Sequence, residues 1–289
     1  MAFKDPKAIT EVATQAGITK AHLTPDKALV AGVLAGAYIA FAGLLAIIVS
    51  AGIDKTATGP IALVTGAAFT LGLILVVIAG SELLTGNMAL LPLAAFRREV
   101  GIGALSKNFL FVAIGNLIGS LLVAYFLAVK TGIVTADAPL KRLGAIATLK
   151  GQTETDWQIF LRAVGCNWLV CLAVWMAFAA DDVGGKILAI FFPILAFVSM
   201  GFDHVVANMF FLPAAIFAHV PGIDWGDTIN NWIFAFLGNL VGAAVFVAGF
   251  YWYLYGRTPY GEAQAGDQSE RDRFVVTDGA PAAESTIPR

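Results

Sequence analysis

The stretch GFDHVVANMFFLPAAIF, residues 201–217, places an aspartate and a histidine inside one of the most apolar regions of the chain. Ionisable side chains cost several kcal/mol at the centre of a bilayer, so they are rare there and tend to be functional. A related stretch, GSELLTGNMALLPLAAF, forms residues 80–96. The two stretches share Gly, Asn, Met, Leu, Pro and Phe in fixed register, and Glu82 aligns with Asp203. The chain therefore uses the same motif twice.

The composition around this motif is that of a membrane protein. Of the 289 residues, 58% are hydrophobic and only 13% are charged, whereas soluble domains carry about 25% charged residues. The 30 glycines fit helices that pack closely in a bilayer. We therefore expect an all-α integral membrane protein.

Six apolar stretches are long enough to span a bilayer, which takes ~20 residues. They cover about residues 28–51, 60–96, 108–129, 159–180, 186–219 and 229–255. The second and fifth are too long for one straight span, and we expect each to break at the repeated motif. Three regions follow: a cytoplasmic amphipathic N-terminal segment (1–27), a six-span pore domain (28–257) and a disordered cytoplasmic tail (258–289).

The third and sixth stretches also share a core, GNLIG from Gly115 and GNLVG from Gly238. The chain thus divides into two three-helix halves, and an odd number of spans places the second half upside down in the membrane. Inverted repeats with interrupted helices put a transport site at the breaks. Glu82 and Asp203 are interpreted as groups that stabilise the breaks by pairing with backbone N–H groups.

The distribution of Lys and Arg favours cytoplasmic termini, because positive charge accumulates on the cytoplasmic side. The connection between the third and fourth spans is the exception. Its basic residues are Lys130, Lys141, Arg142 and Lys150. This connection is either a solvated loop or an outer vestibule that gathers anions.

Three motifs, AGSELLTGNM, AVGCNWLVCLAVWMA and GFDHVVANM, resemble those of the formate/nitrite transporter family, in the family's order. The resemblance covers about residues 5–257. It implies an aquaporin-like fold of six spans with broken second and fifth helices, assembled as a homopentamer in the plasma (inner) membrane. It also implies one pore per protomer for formate, nitrite, hydrosulfide, lactate or acetate.

The resemblance assigns pore roles residue by residue. The substrate-pore residues would be His204, Thr85, Asn167 and Asn208. The outward constriction would be Phe69 and Phe197, and the inward one Leu73, Leu83 and Val170. Lys150 would match a vestibule lysine, although its spacing to Asn167 is one residue longer than usual. Leu84 departs from the Phe of many relatives, which would alter loop packing or pore width.

A histidine at the break suits the passage of a weak-acid anion. A carboxylate that enters an apolar constriction loses hydration, which is costly while it stays charged. An accompanying cation or an added proton removes that cost, and histidine is the side chain that provides either near neutral pH. The bland alternatives are that His204 is a hydrogen-bonded packing residue, that Asn208 caps the break, and that Phe69 and Phe197 only pack.

Two other function classes fit the sequence less well. A water or neutral-solute channel of similar architecture relies on paired Asn-Pro-Ala motifs, and this chain has GNM and ANM at the corresponding places. An intramembrane enzyme would need a metal cluster or a nucleophile–base pair, and the apolar stretches offer neither. We therefore expect a transporter of small monovalent anions, formate above all, in which His204 mediates protonation-coupled passage. We expect no enzymatic activity, no cofactor and no nucleic-acid partner.

Overall fold

A computed structural model describes residues 3–257, and this part of the chain is all-helical. The helices in chain order are α1 (Pro6–Ala21), α2 (Pro25–Ser50), α3 (Thr58–Ala79), α4 (Leu84–Phe96), α5 (Ile102–Leu122), α6 (Asp137–Thr148), α7 (Asp156–Ala179), α8 (Val183–Ser199), α9 (Val205–Phe217), α10 (Trp225–Ala243) and α11 (Phe250–Tyr255). Three π-helical segments continue α5, α6 and α10, at Val123–Val129, Leu149–Thr153 and Ala244–Gly249. The predicted tail, residues 258–289, lies outside the described residues.

Five helical stretches are long and apolar enough to cross a membrane. They are Pro25–Ser50, Thr58–Ala79, Ile102–Val129, Asp156–Ala179 and Trp225–Tyr255. Three further apolar helices, α4, α8 and α9, are shorter. Because many large apolar side chains on the long helices remain exposed, the chain presents an apolar surface to its surroundings, as an integral membrane protein does.

The second and fifth apolar stretches are each interrupted inside the repeated motif. Helix α3 is followed by Gly80 with φ 79°, and α8 is followed shortly by Gly201 with φ 72°. Glycine adopts this left-handed backbone without a steric penalty, so the chain can turn sharply there. The short helices α4 and α9 then begin at Leu84 and Val205, and nearly all of their residues are buried.

Glycines let two pairs of long helices, α2 with α5 and α7 with α10, cross at close range. A Cβ added at Gly119 of α5 would lie 2.0 Å from the carbonyl oxygen of Val33 in α2. One added at Gly242 of α10 would lie 2.3 Å from the carbonyl oxygen of Val164 in α7. Neither distance is possible for a real side chain, so both crossings depend on a missing Cβ.

The connection between α5 and α7 is helical rather than an extended loop. It is formed by α6 and the π-helical segment Leu149–Thr153. Lys150 in this segment is only 8% exposed, whereas Lys141 on α6 is exposed. The basic residues of this connection therefore differ sharply in environment, and Lys150 turns into the protein.

Candidate functional site

His204 borders a small buried cavity, the His204 chamber, between the two helix breaks. The chamber has a volume of about 10 Å³, which is room for roughly one water molecule. It is lined by Ile39, Phe69, Leu73, Leu83, Val170, Ile194, Phe197 and His204. All of these side chains except His204 are apolar, and all five residues expected at the constrictions are among them.

Two larger cavities lie on either side of the chamber. The Arg142 cavity has a volume of about 150 Å³ and shares Phe69, Phe197 and His204 with the chamber. The Glu82 cavity has a volume of about 400 Å³ and shares Leu73 and Leu83 with it. The rings of Phe69 and Phe197 meet edge to face, with centroids 6.0 Å apart. An apolar barrier thus separates two cavities.

The His204 ring is fixed by hydrogen bonds on both nitrogens. Its Nδ1 accepts from the Ala207 backbone N–H at 3.1 Å, so the ring caps the start of α9. Its Nε2 lies 2.8 Å from the Thr85 hydroxyl oxygen. Because Nδ1 accepts, a neutral ring carries its proton on Nε2 and donates it to Thr85. This arrangement holds a neutral imidazole, since an imidazolium would have an N–H facing the Ala207 N–H.

Thr85 is held from the other side by Asn167 on α7. The Asn167 Nδ2 group donates to the carbonyl oxygens of Thr85 at 3.1 Å and of Asn239 at 2.8 Å. The Cys171 thiol also donates to the Thr85 carbonyl, at 3.4 Å. Both amide protons of Asn167 therefore bind backbone groups, and contact between Asn167 and a substrate stays a prediction.

A buried ion pair lies behind His204. The Asp203 carboxylate accepts from Lys150 Nζ at 2.7 Å and from Asn208 Nδ2 at 2.8 Å. Asn208 Nδ2 also donates to the side-chain oxygen of Asn231, at 2.8 Å. Lys150 and Asn208 line the Arg142 cavity together with His204. The predicted pore residue Asn208 and the predicted vestibule residue Lys150 thus lie on the same cavity as His204.

The first break carries a matching cluster. Glu82 accepts from Lys20 Nζ at 2.6 Å and from Asn87 Nδ2 at 2.8 Å, and Asn87 Nδ2 donates to Asn108 at 2.9 Å. The expectation that Glu82 and Asp203 bind backbone N–H groups was wrong. Both carboxylates bind lysine and asparagine side chains instead, because a charged partner compensates a buried carboxylate better than a neutral amide does.

Asn116 and Asn239 satisfy the backbone at the breaks. Asn116 accepts from the Leu84 N–H and donates to the Glu82 carbonyl, both at 2.9 Å. Asn239 accepts from the Val205 N–H and donates to the Asp203 carbonyl, both at 2.9 Å. Irregular backbone at membrane depth is tolerated only where its polar groups are bound within the protein, and these two side chains do that.

Two ionisable groups of the connection between α5 and α7, Glu154 and Arg142, have pKa values shifted from their ordinary range. Burial and the neighbouring Asp203 carboxylate raise the pKa of Glu154, the residue before the α7 cap, to about 8. Glu154 also pairs with Arg162. Burial lowers the pKa of the Arg142 guanidinium. Within residues 3–257, no group of three or more His, Cys, Asp and Glu side chains is arranged to hold a metal ion.

Sequence reasoning missed Arg142 as a separate site residue, the Glu154–Asp203 proximity, and the bridging role of Asn116 and Asn239. For the two asparagines a signal was present, because each is the second residue of the shared GNL core. Their partners, the backbone groups of the breaks, have no sequence signature. Nothing in the local sequence distinguishes the half-buried Arg142 from the exposed Lys141 next to it.

Comparison with known proteins identifies the family. The family model described as formate/nitrite transporter matches residues 7–253. The chain is 48% identical to a probable formate transporter of Methanothermobacter thermautotrophicus, over 88% of this chain and 97% of that one.

Two solved structures have the same fold. One, an FNT family ion channel, is 30% identical with a TM-score of 0.79 and covers 85% of this chain and 98% of its own. The other, a pentameric formate channel with formate bound, is 33% identical with a TM-score of 0.71. The match covers 80% of this chain and 97% of the chain in that structure. The expectation from the three motifs is confirmed: the chain belongs to the formate/nitrite transporter family, whose members are transporters and channels rather than enzymes.

Proposed function

We propose that this protein carries small monovalent anions across a membrane, with formate as its main substrate. The names of its relatives support this choice: one is a probable formate transporter, and one is a formate channel with formate bound. Formate is the anion of a weak acid, so a single added proton converts it from a charged to a neutral species, which loses less on leaving water. Nitrite, hydrosulfide, lactate and acetate share that property and are the alternative substrates.

The proposed architecture is six spans in two inverted three-helix halves, aquaporin-like, with α3–α4 and α8–α9 as the broken second and fifth spans. The matching clusters around Glu82 and Asp203 support two equivalent halves. We assign one pore to each protomer of a homopentamer in the plasma (inner) membrane, with both termini cytoplasmic. The Arg142 cavity then opens outward, and the Glu82 cavity opens inward.

One observation carries the proposal: the His204 chamber is lined by apolar side chains except for the imidazole, and it lies between two cavities. An anion on this path would leave water at Phe69 and Phe197 and meet a single titrating group before Leu73 and Leu83. A site of that form suits a species that becomes neutral while it passes. A continuous polar lining would instead suit a permanently charged ion.

Each remaining predicted residue has a place in this scheme. Thr85 orients the imidazole through its hydroxyl and offers its own proton to the anion. Asn167 positions Thr85 through its carbonyl, Asn208 positions Asp203, and Lys150 is the vestibule lysine, paired with Asp203 at the wall of the outer cavity. Leu73, Leu83 and Val170 close the inner side against water.

The proton step follows from the hydrogen bonds of His204. At rest the ring is neutral and its Nδ1 accepts from Ala207. An anion beside the ring favours the imidazolium, and a proton from the outer solution then binds the ring as the Ala207 bond is released. The imidazolium passes one proton to the anion, which leaves as the neutral acid, and the neutral ring caps α9 again.

The test is uptake of labelled formate into proteoliposomes at two external pH values, with unlabelled nitrite, hydrosulfide and lactate as competitors. We expect uptake to rise as external pH falls and to resist the competitors. If a competitor is carried better than formate, the main substrate is that anion. If no anion is carried and the vesicles swell in an osmotic gradient of water or glycerol, the protein is a neutral-solute channel and the proposal is wrong.

A further inference from the structure

Arg142 lines the cavity that faces the Phe69–Phe197 constriction, and its guanidinium is held by two hydroxyl groups. Its Nε donates to Ser50 Oγ at 2.9 Å, and its Nη2 donates to Thr65 Oγ1 at 3.2 Å. Ser50 lies at the end of α2 and Thr65 lies in the first half of α3, so Arg142 of α6 ties three helices together.

The two hydroxyl groups are themselves fixed. Ser50 Oγ donates its proton to the Ala46 carbonyl at 2.6 Å, and Thr65 Oγ1 donates its proton to the Ile61 carbonyl at 2.6 Å. Each hydroxyl has one proton to give, so only its lone pairs are available to Arg142. The guanidinium is therefore held in one orientation by neutral acceptors.

The positive charge of Arg142 has no carboxylate partner. Three neighbouring cations are paired with carboxylates: Lys141 with Asp137 at 2.9 Å, Lys150 with Asp203 at 2.7 Å, and Arg162 with Glu154. Lys130, at the start of the connection, lies over the Tyr125 ring instead. Across residues 3–257, no carboxylate lies within ion-pair distance of Arg142. Burial is the cause that lowers its pKa, but an arginine remains charged in proteins. A partly buried cation that is held only by neutral hydroxyl groups can bind an anion from outside the chain.

The Arg142 guanidinium lies at a defined distance from the Phe69–Phe197 constriction. Thr65 and Phe69 are four residues apart on α3, which separates them by about 6 Å along the helix axis. The guanidinium therefore lies about one helical turn from the constriction, on the Arg142 cavity side. Both Nη1 protons have no partner among the described residues and remain available. A guanidinium offers paired N–H groups that match the two oxygens of a carboxylate.

We propose that Arg142 is the docking residue for the anion at the outer mouth of the pore, where it binds a small oxyanion, a carboxylate above all, before the anion reaches the chamber. This proposal rests on the proposed function, because the bound anion is the transported one. Lys150 contributes less to this step because Asp203 already neutralises it.

The test is initial uptake of labelled formate against external concentration in right-side-out membrane vesicles, for wild type, Arg142→Gln, Arg142→Lys and Lys141→Gln. We expect Arg142→Gln to raise the half-saturating concentration about tenfold, as loss of a charge-assisted hydrogen bond does, with the maximal rate retained. Arg142→Lys should give an intermediate value, because lysine keeps the charge but cannot bind both hydroxyl groups. Lys141→Gln, one residue away, exposed and paired, should match wild type.

The outcomes separate this proposal from the proposed function. If wild type carries another anion instead of formate, the same series is measured with that anion, and Arg142 is still tested. An unchanged half-saturating concentration in Arg142→Gln, or an equal rise in Lys141→Gln, overturns the docking role while transport itself stands. If Arg142→Gln does not assemble, Arg142→Lys decides, and wild-type behaviour of that variant overturns the proposal.

Discussion

The two interrupted segments, residues 80–96 and 201–217, share a polar framework but differ in what they present to the chamber. In each segment a carboxylate binds a lysine and an asparagine, and a second asparagine binds the backbone on both sides of the break. The bond lengths of the two frameworks agree to within about 0.1 Å in these pairs. The shared framework therefore stabilises the helix breaks, and it does not account for the chemistry of the transport site.

The residues that face the His204 chamber differ between the two segments. Leu83 stands where the second segment has His204, and Thr85 stands where the second has Val206. The imidazole and the hydroxyl thus come from opposite segments and meet at 2.8 Å. The two segments therefore share one polar framework, whereas the titrating imidazole occurs only in the second segment. Substitution of the backbone-binding asparagines, Asn116 and Asn239, should affect assembly alike at the two breaks, and substitutions in the chamber should affect transport.

The largest expected effect comes from Asn116→Leu and Asn239→Leu. Each change removes the partner of one backbone N–H and leaves backbone carbonyls of the break without a donor. An unsatisfied buried group costs about 1–3 kcal/mol in water-soluble proteins and more in lipid. We expect neither variant to yield assembled protein in size-exclusion chromatography after detergent extraction.

Asn230→Leu is the matched control for Asn239→Leu. Asn230 is an exposed asparagine of the same helix, α10, which binds Asp156 at 2.8 Å. This variant should assemble as wild type does. If one of Asn116→Leu and Asn239→Leu assembled normally and the other did not, the two helix breaks would not be equivalent.

The next largest effect is on transport, from His204→Asn. Asparagine keeps a side-chain acceptor for the cap of α9 but cannot hold and release a proton. We expect assembled protein whose formate uptake is reduced about a hundredfold, the usual contribution of a positioned acid–base group. His219→Asn is the control, because His219 is exposed with φ 56°, a backbone that asparagine tolerates. Near-normal uptake in His204→Asn would remove the imidazole from the mechanism.

The sequence predicted the framework's location better than its contacts. The two breaks, the position of His204 beside them and the apolar residues of the chamber follow from a repeated motif and a family resemblance, both of which are local patterns. The partners of Glu82 and Asp203 could not be predicted, because Lys20 and Lys150 lie far away in the chain, on segments outside the repeat motif. Arg142 could not be told from the other three basic residues of its connection, because its hydroxyl partners Ser50 and Thr65 lie on other helices.

Breaking the ion pairs should destabilise both halves, but unequally. Lys150→Met leaves the Asp203 carboxylate, whose side chain is 0% exposed, without its cation, whereas Lys20→Met leaves Glu82, which is 11% exposed. Loss of one partner of a buried pair costs about 3–5 kcal/mol. Thermal unfolding in detergent should show the larger drop in melting temperature for Lys150→Met. An equal drop would mean that water reaches both carboxylates alike.

The smallest effect concerns Glu154, which has no counterpart in the cluster around Glu82. Its pKa is raised from 4.5 to about 8, so the folded state holds a proton that the unfolded chain has already lost. Between these two pH values, stability therefore falls as pH rises. Glu154→Gln removes that dependence, because glutamine does not titrate.

Melting temperatures at pH 5 and pH 9 test this sign. Wild type should lose a few degrees more than Glu154→Gln over that range. Asp137→Asn, in which an exposed acid is removed from the same connection, should lose as much as wild type. Parallel behaviour of Glu154→Gln and wild type would contradict the shifted pKa.

The central claim is that an anion passes the His204 chamber as its neutral acid. The most direct measurement is the ratio of protons to formate that enter proteoliposomes, from an internal pH dye and labelled formate recorded together, after subtraction of protein-free liposomes. The account predicts about one proton per formate, with both fluxes lost together in His204→Asn. Formate entry without accompanying protons would contradict it.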